Sequence, residues 1–191
     1  MAEGWDLLSS ETHYEDGHLA VCTEQVRSPA VAKREWTVVH RKAAVVVAAI
    51  TREFGLILIR EERIPIRAAI WGVPAGQVDD RTATDRPALE AVALRELEEE
   101  TGYRLCSGGE VISLGHFFSS PVFRVELGHL FLIRPVEPGT TGPAPTESES
   151  ILDCRAFSQA EIRTMVQSGE ICDANTLSVW ARLAARGHFS R

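Results

Sequence analysis

The segment "LRELEEETGY", residues 94–103, places four glutamates within five positions and follows them with a threonine and a glycine. Positions 87–101 are typical of a helix, in which residues three and four apart share a face. One face of this helix combines apolar side chains with glutamates, namely Leu89, Val92, Ala93, Glu96, Glu99 and Glu100. Glu98 points elsewhere, so three of the four carboxylates are expected to face the core.

A cluster of ionised carboxylates beside a hydrophobic core is costly, because each carboxylate loses hydration and repels its neighbours. A hard divalent cation bound by oxygen ligands offsets this cost. We therefore interpret Glu96, Glu99 and Glu100 as metal ligands. The alternative, a solvated acidic helix end, is disfavoured by the inward direction of these side chains. Gly102 is predicted to end the helix in the left-handed conformation.

A second segment, "WGVPAGQV" at residues 71–78, precedes the helix. Pro74 and Gly76 predict a tight bend, and a glycine allows backbone to approach a ligand closely. The carbonyl oxygen of Ala75 is therefore a candidate further ligand for the same cation.

The two segments resemble the signature of the Nudix hydrolase family. The second half of that signature reads Arg-Glu-apolar-x-Glu-Glu-x-Gly-apolar, and this chain matches it with Arg95, Glu96, Leu97, Glu99, Glu100, Gly102 and Tyr103. The resemblance implies hydrolysis of a diphosphate linked to another group, with Mg²⁺ as the cofactor and Mn²⁺ as the alternative metal. It also implies a catalytic role for Glu99 and Arg95.

The first half of the signature departs from the family pattern. Eighteen residues separate Gly76 from Arg95, about five more than in the family, and Pro87 stands where the family has a glutamate. In the family that glutamate mainly orients other residues and is not a principal metal ligand. Its absence here therefore means that another residue has to hold the Arg95 side chain in place. Asp85 and Glu90 are both candidates for the replacement.

The wider pattern predicts an α+β protein. β-Branched and aromatic runs predict strands at 19–27, 36–40, 43–50, 55–60, 110–118, 127–134 and 151–157, and helices are predicted at 87–101, 159–168 and 174–186. The resemblance implies the Nudix fold, a mixed β-sheet flanked by helices in an α/β/α sandwich. We divide the chain into an N-terminal tail at 1–18, N-terminal strands at 19–42 and a Nudix hydrolase domain at 43–191. The family resemblance implies that the N-terminal strands exchange between the subunits of a dimer.

Composition excludes several classes of function. The 191 residues carry a net charge of −7, which disfavours nucleic acid and anionic membranes as partners. No apolar run approaches the roughly 20 residues of a membrane-spanning helix, and no secretion signal is recognisable, so a cytoplasmic location is expected. The four cysteines lie far apart without a C-x-x-C pair, which argues against zinc sites and disulfides.

Flanking residues resemble the ADP-ribose pyrophosphatase branch of the family. That resemblance implies that Trp36 stacks on adenine, that Arg41 meets phosphate or ribose, and that Arg63 contacts the diphosphate. It also implies a catalytic base on a loop before a late strand, for which Glu149 is the first candidate and Glu147 the second. Val122 replaces the glycine that usually follows Ser-Pro in this branch.

The resemblance therefore implies a homodimeric enzyme that cleaves ADP-ribose to AMP and ribose 5-phosphate. Two alternatives stay open. One is a Nudix hydrolase for another nucleoside diphosphate derivative, such as a sugar nucleotide, a dinucleotide or an oxidised nucleotide. The other is a non-catalytic domain of the same fold that senses a nucleotide.

Overall fold

The computed structural model describes residues 4–78, 85–140, 142–144 and 150–188. Its strands are β1 (Asp6–Glu15), β2 (Leu19–Ser28), β3 (Val31–Arg41), β4 (Ala44–Thr51), β5 (Leu56–Arg63), β6 (Ala68–Gly72), β7 (Ala75–Gln77), β8 (Tyr103–Phe118), β9 (Arg124–Val125), β10 (Leu127–Pro138) and β11 (Ile151–Phe157). Its α-helices are α1 (Arg86–Thr101), α2 (Gln159–Ser168) and α3 (Ala174–Ala185). Mixed sheets with helices confirm the prediction of an α+β protein. Among the described residues, no helix has the length and apolar character needed to cross a bilayer.

The ends of helix α1 follow from local side-chain chemistry. Asp85 caps the start, since its Oδ1 accepts a hydrogen bond from the backbone N–H of Ala88 at 2.9 Å. Pro87 lies in the first turn, where a missing N–H costs nothing. Gly102 ends the helix in the left-handed conformation, with φ of 70°, as the sequence predicts.

The chain forms two compact units. The first unit comprises Met1–Ala43 and Phe118–Leu127, and its sheet has the strand order β1-β2-β3-β9. The second unit comprises Ala44–Phe117 and Gly128–Arg191, and its sheet has the order β11-β5-β4-β10-β8, with β6 beside β5 and β7 beside β4. Strands β4 and β10 run parallel whereas β4 and β5 run antiparallel, so this sheet is mixed.

The core of the second unit lies around β4 and β5. The continuous apolar runs of these strands are buried on both faces, which is typical of central strands. Helices α1 and α3 both pack against β4, and α1 also packs against β7. Strand β7 pairs with β4, with Gly76 opposite Val45, and this pairing brings the "WGVPAGQV" segment to the glutamate helix.

Several strands of the structure have no counterpart in the sequence analysis. Strand β1 lies at residues 6–15, within the segment that the sequence pattern predicts to be a tail, and every one of its residues is exposed. Strands β6, β7 and β9 have five residues or fewer. The physical reason is the same for all four: neither an exposed strand nor a very short one shows the alternation of apolar and polar residues that marks a half-buried strand.

Candidate active site

Helix α1 presents its glutamates as the helical periodicity predicts. Glu96 and Glu100 are 6% and 3% exposed, Glu99 is partly buried, and Glu98 is exposed. The buried glutamates lie on the same side as Leu89 and Ala93, which pack into the interior. The helix therefore carries ionisable groups into an environment where they need a compensating charge or hydrogen bonds.

Strand β7 meets this helix through a close backbone contact. A Cβ atom added to Gly76 would lie 1.9 Å from the carboxyl carbon of Glu96, so only glycine leaves room for that carboxylate. The neighbouring Ala75 donates its backbone N–H to Oε2 of Glu100 at 3.1 Å. The predicted bend thus contacts two of the glutamates.

Arg95 lies between two of the glutamates. Its Nη2 donates to Oε1 of Glu96 and its Nη1 donates to Oε2 of Glu99, each at 2.5 Å. These charge-assisted bonds hold the two carboxylates together. The structure corrects the hypothesis about the missing family glutamate, because Asp85 caps the helix and Glu90 pairs with Arg86 at 2.6 Å. Arg95 is held instead by the glutamates that follow it on the helix.

The donor chemistry of this cluster fits a hard divalent cation. Carboxylate oxygens are the preferred ligands of Mg²⁺, and Gly76 creates the space in which the Glu96 carboxylate lies. Within the described part of the chain, no three His, Cys, Asp or Glu side chains converge in a geometry ready to hold a metal. The carboxylates are instead hydrogen-bonded to other groups of the chain. Arg95 donates to Glu96 and Glu99, and the backbone N–H of Ala75 donates to Glu100.

Arg63 lies at the end of β5, two residues after the buried Glu61. Residues i and i+2 of a strand share a face, and the two side chains form a two-pronged ion pair with distances of 2.9 and 2.7 Å. Arg63 also lines a cavity of about 390 Å³, together with Glu62, Ile64, Arg67, Ala68 and Ala69. Its guanidinium is thus oriented by a neighbour and accessible from a concave surface.

The predicted base, Glu149, and its alternative, Glu147, lie outside the described residues. The chain on either side of them is anchored to the elements just described. The backbone N–H of Ala144 donates to the carbonyl of Glu99 at 2.8 Å. On the other side, Ser150 Oγ donates to Oε2 of Glu62 at 2.6 Å, and the backbone N–H of Glu62 donates to the Ser150 carbonyl at 3.0 Å.

In the first unit, β3 carries Trp36 and Arg41. The indole N–H of Trp36 donates to the carbonyl of Val122 at 2.7 Å, and its ring is 45% exposed. The register of β3 with β2 is continuous across these positions, so side chains five residues apart project from opposite faces. A ligand that lies on one face of this sheet therefore contacts one of the two residues.

Cys154 on β11 lies close to the end of the glutamate helix, with Sγ 3.9 Å from the carbonyl oxygen of Thr101. Burial raises the pKa of its thiol to about 11, with smaller contributions from the nearby carboxylates of Asp153 and Glu100. The raised pKa means that the thiol stays protonated, and unreactive, at neutral pH.

We therefore expect an unusual pH dependence when Cys154 is alkylated. With a pKa of about 11, its thiolate fraction and hence its rate should rise about 90-fold between pH 8 and pH 10, against about 4-fold for an ordinary cysteine. Peptide-resolved mass spectrometry after iodoacetamide labelling measures this, with the exposed Cys172 as the internal reference. A Cys154 rate that levels off below pH 9 would contradict the burial argument.

Sequence reasoning missed three charged residues that the structure joins to the predicted site residues Arg63 and Arg41, either directly or, for Arg124, through Glu126. These are Glu61, Arg124 and Glu126. The sequence could have predicted the contact of Glu61 with Arg63, because residues two positions apart in a strand lie on the same face. Arg124 and Glu126 are also two positions apart, but nothing in the sequence joins this pair to Arg41, which is distant in sequence and is brought close only by strand pairing.

Comparison with known proteins gives consistent results. The family model described as "NUDIX domain" matches residues 40–176. An ADP-ribose pyrophosphatase of Bacillus subtilis (strain 168) is 30% identical over 145 residues, which is 76% of this chain and 72% of that protein. A methanol dehydrogenase activator of Bacillus methanolicus is 31% identical over 146 residues, which is 76% of this chain and 73% of that protein.

Among solved structures, the crystal structure of an ADP compounds hydrolase superposes with a TM-score of 0.77. The superposition includes 97% of this chain and 96% of that chain, at 18% sequence identity. At this identity the similarity shows a common fold only. The family match covers most of the chain and includes both segments of the glutamate cluster. The chain therefore belongs to the NUDIX domain family and has the Nudix fold.

Proposed function

We propose that this protein is a metal-dependent pyrophosphohydrolase that cleaves ADP-ribose to AMP and ribose 5-phosphate. The observation that carries the proposal is the glutamate face of α1, where the carboxylates of Glu96 and Glu100 are buried and that of Glu96 occupies space that only a glycine at position 76 leaves free. An acidic cluster of this kind suits a bound cation and has no other evident use in a nucleotide-binding domain. The identity of 30% to an ADP-ribose pyrophosphatase supports the choice of substrate.

Glu96, Glu99, Glu100 and the Ala75 carbonyl would hold Mg²⁺, or Mn²⁺ in its place. A cation held there would supply positive charge for the diphosphate and would lower the pKa of a bound water molecule. Arg95 keeps Glu96 and Glu99 in a fixed mutual orientation through its two short hydrogen bonds. Because the three glutamates lie on one helix face, the helix fixes the relative positions of their backbones.

Other residues of the chain position the substrate and move the proton. Arg63, oriented by Glu61, binds the diphosphate with the planar fork of its guanidinium. Glu149 accepts the proton of the attacking water. Its proposed role is supported by the anchoring of the flanking residues to Glu99 and Glu62, on the helix and strand that carry the other candidates.

Trp36 and Arg41 contact the adenine and a phosphate or ribose in this proposal, and the protein is a homodimer. Support for a second subunit comes from β1, a strand at the edge of its sheet whose residues are all exposed, because such edges pair readily with another chain. The opposite directions of Trp36 and Arg41 fit exchanged N-terminal strands, since each face can then serve a different substrate molecule.

The test is product analysis after incubation of the purified protein with ADP-ribose and Mg²⁺. We expect AMP and ribose 5-phosphate in equal amounts, and no products when the metal is chelated. The proposed substrate would be wrong if the protein cleaved a sugar nucleotide, a dinucleotide or an oxidised nucleotide but did not cleave ADP-ribose. Metal-independent nucleotide binding without any turnover would contradict hydrolysis and favour a sensing domain.

A further inference from the structure

Two arginines of the first unit share a single carboxylate. Oε1 of Glu126 lies 3.2 Å from Nη1 of Arg41, and Oε2 of Glu126 pairs with Nη2 of Arg124. Ser119 Oγ adds a hydrogen bond to the same Oε2 at 3.1 Å. Strand pairing explains the meeting: β9 runs parallel to β3 with Arg124 beside Val39, so Arg124 and Arg41 project from the same face.

The charges of this group do not balance. Two guanidinium groups face one carboxylate, which leaves an excess of one positive charge. The side chains are largely withdrawn from water, with exposed fractions of 30% for Arg41, 23% for Arg124 and 11% for Glu126. A partly desolvated excess charge is unfavourable unless an anion compensates it.

The hydrogen bonds of the group are also incomplete. In the part of the chain that the structure describes, the Nε atoms of Arg41 and Arg124 are both buried and have no hydrogen-bond partner. Buried donors in native proteins are nearly always satisfied, so two unsatisfied donors on adjacent arginines indicate a missing acceptor. A structural ion pair would need only one arginine for Glu126, and the second arginine has no structural use that the contacts reveal.

We propose that Arg124 and Arg41 together bind a phosphate group of the substrate, and that Glu126 is the positioning residue that holds the two guanidinium groups side by side. This inference rests on the proposed function for its ligand, a nucleoside diphosphate derivative. A phosphate fits better than a carboxylate, because its several acceptor oxygens satisfy donors on two guanidinium groups at once. Arg124 thereby becomes a substrate-binding residue.

The test is calorimetric titration of the full chain with inorganic pyrophosphate in the presence of EDTA, so that no metal or turnover contributes. We compare wild type with Arg124→Gln and with the matched control Arg27→Gln. Arg27 belongs to the same unit, is exposed and pairs with Asp6 at 2.9 Å, so the control loses the same charge elsewhere. Loss of a charge-assisted pair should weaken pyrophosphate binding about tenfold or more in Arg124→Gln and leave Arg27→Gln unchanged.

A second variant, Arg124→Lys, keeps the ion pair with Glu126 and guards against loss of folding, which circular dichroism monitors. Lysine lacks the planar fork, so an intermediate loss of affinity is expected. In steady-state assays with ADP-ribose and Mg²⁺, Arg124→Gln should raise KM while kcat stays close to wild type. Absence of pyrophosphate binding by wild type, or equal binding by wild type and both Arg124 variants, would overturn the inference, as would an equal loss in Arg27→Gln.

These outcomes separate the inference from the proposed function. A wild-type protein that binds pyrophosphate through Arg124 but does not hydrolyse ADP-ribose contradicts the substrate and supports the phosphate subsite. A wild-type protein that hydrolyses ADP-ribose with an unchanged KM in Arg124→Gln supports the substrate and overturns the subsite.

Discussion

Substitution of Glu99 or Glu100 by glutamine is expected to lower kcat/KM for ADP-ribose by about 100-fold or more, because a metal ligand loses its charge. Glu98→Gln makes the same chemical change on the same helix, but Glu98 is exposed and points away from the cluster. It should therefore retain nearly full activity. Release of AMP under steady-state conditions measures the effect, and titration with Mn²⁺ reports metal binding independently of turnover.

The comparison with Glu98→Gln tests whether activity depends on which glutamate is changed or only on the number of negative charges on the helix. If all three variants lose activity equally, the effect arises from the net charge of the helix and not from ligation at particular positions. If none loses activity, the glutamate face does not hold the catalytic metal. Glu99→Gln also removes the negative charge that pairs with Arg95, so its unfolding free energy is measured in parallel to separate a loss of stability from a loss of metal binding.

The second large effect is expected for Gly76→Ala. The added Cβ would lie 1.9 Å from the carboxyl carbon of Glu96, so the glutamate side chain must leave its place. The group that has to move is the end of a flexible side chain, so we expect the unfolding free energy to change by only about 1 kcal/mol. Activity should nevertheless fall about 100-fold, because a displaced ligand no longer contributes to metal binding.

Gly17→Ala is the matched control, since a Cβ at Gly17 has no heavy atom within 4 Å. It should preserve both activity and stability. Urea denaturation with and without Mg²⁺ provides a readout besides activity, because a metal that binds the folded state stabilises it. A Gly76→Ala protein that retains Mg²⁺-dependent stabilisation would show that the Glu96 carboxylate can bind metal from another position.

Local features of the fold were predictable because short-range chemistry determines them. Helix α2 illustrates this: Ser158 and Glu161 form a reciprocal capping box, and Gly169 ends the helix with φ of 79°. Such signals need only the order of neighbouring residues. The same holds for the face of α1 that carries Glu96 and Glu100, since 3.6 residues per turn determine which side chains lie together.

Short and exposed strands were not predictable on this basis. Strand β7 has three residues, and its identity depends on pairing with β4 rather than on any property of its own sequence. Strand β1 is exposed on both faces, so burial imposes no alternation on its side chains. The two-unit organisation likewise depends on where Phe118–Leu127 pairs, which is a contact distant in sequence.

The sequence by itself determined the family, the direction of the glutamates and the chemistry that a metal would meet, because all three depend on residue types at fixed local spacing. Only the tertiary structure decided which partners the charged groups have when those partners are distant in sequence. Arg41 and Arg124 share Glu126 across a pair of parallel strands, and Glu62 accepts a hydrogen bond from Ser150. Ion pairs form between whichever charges the fold brings within hydrogen-bond distance, and that distance is a property of packing rather than of sequence separation.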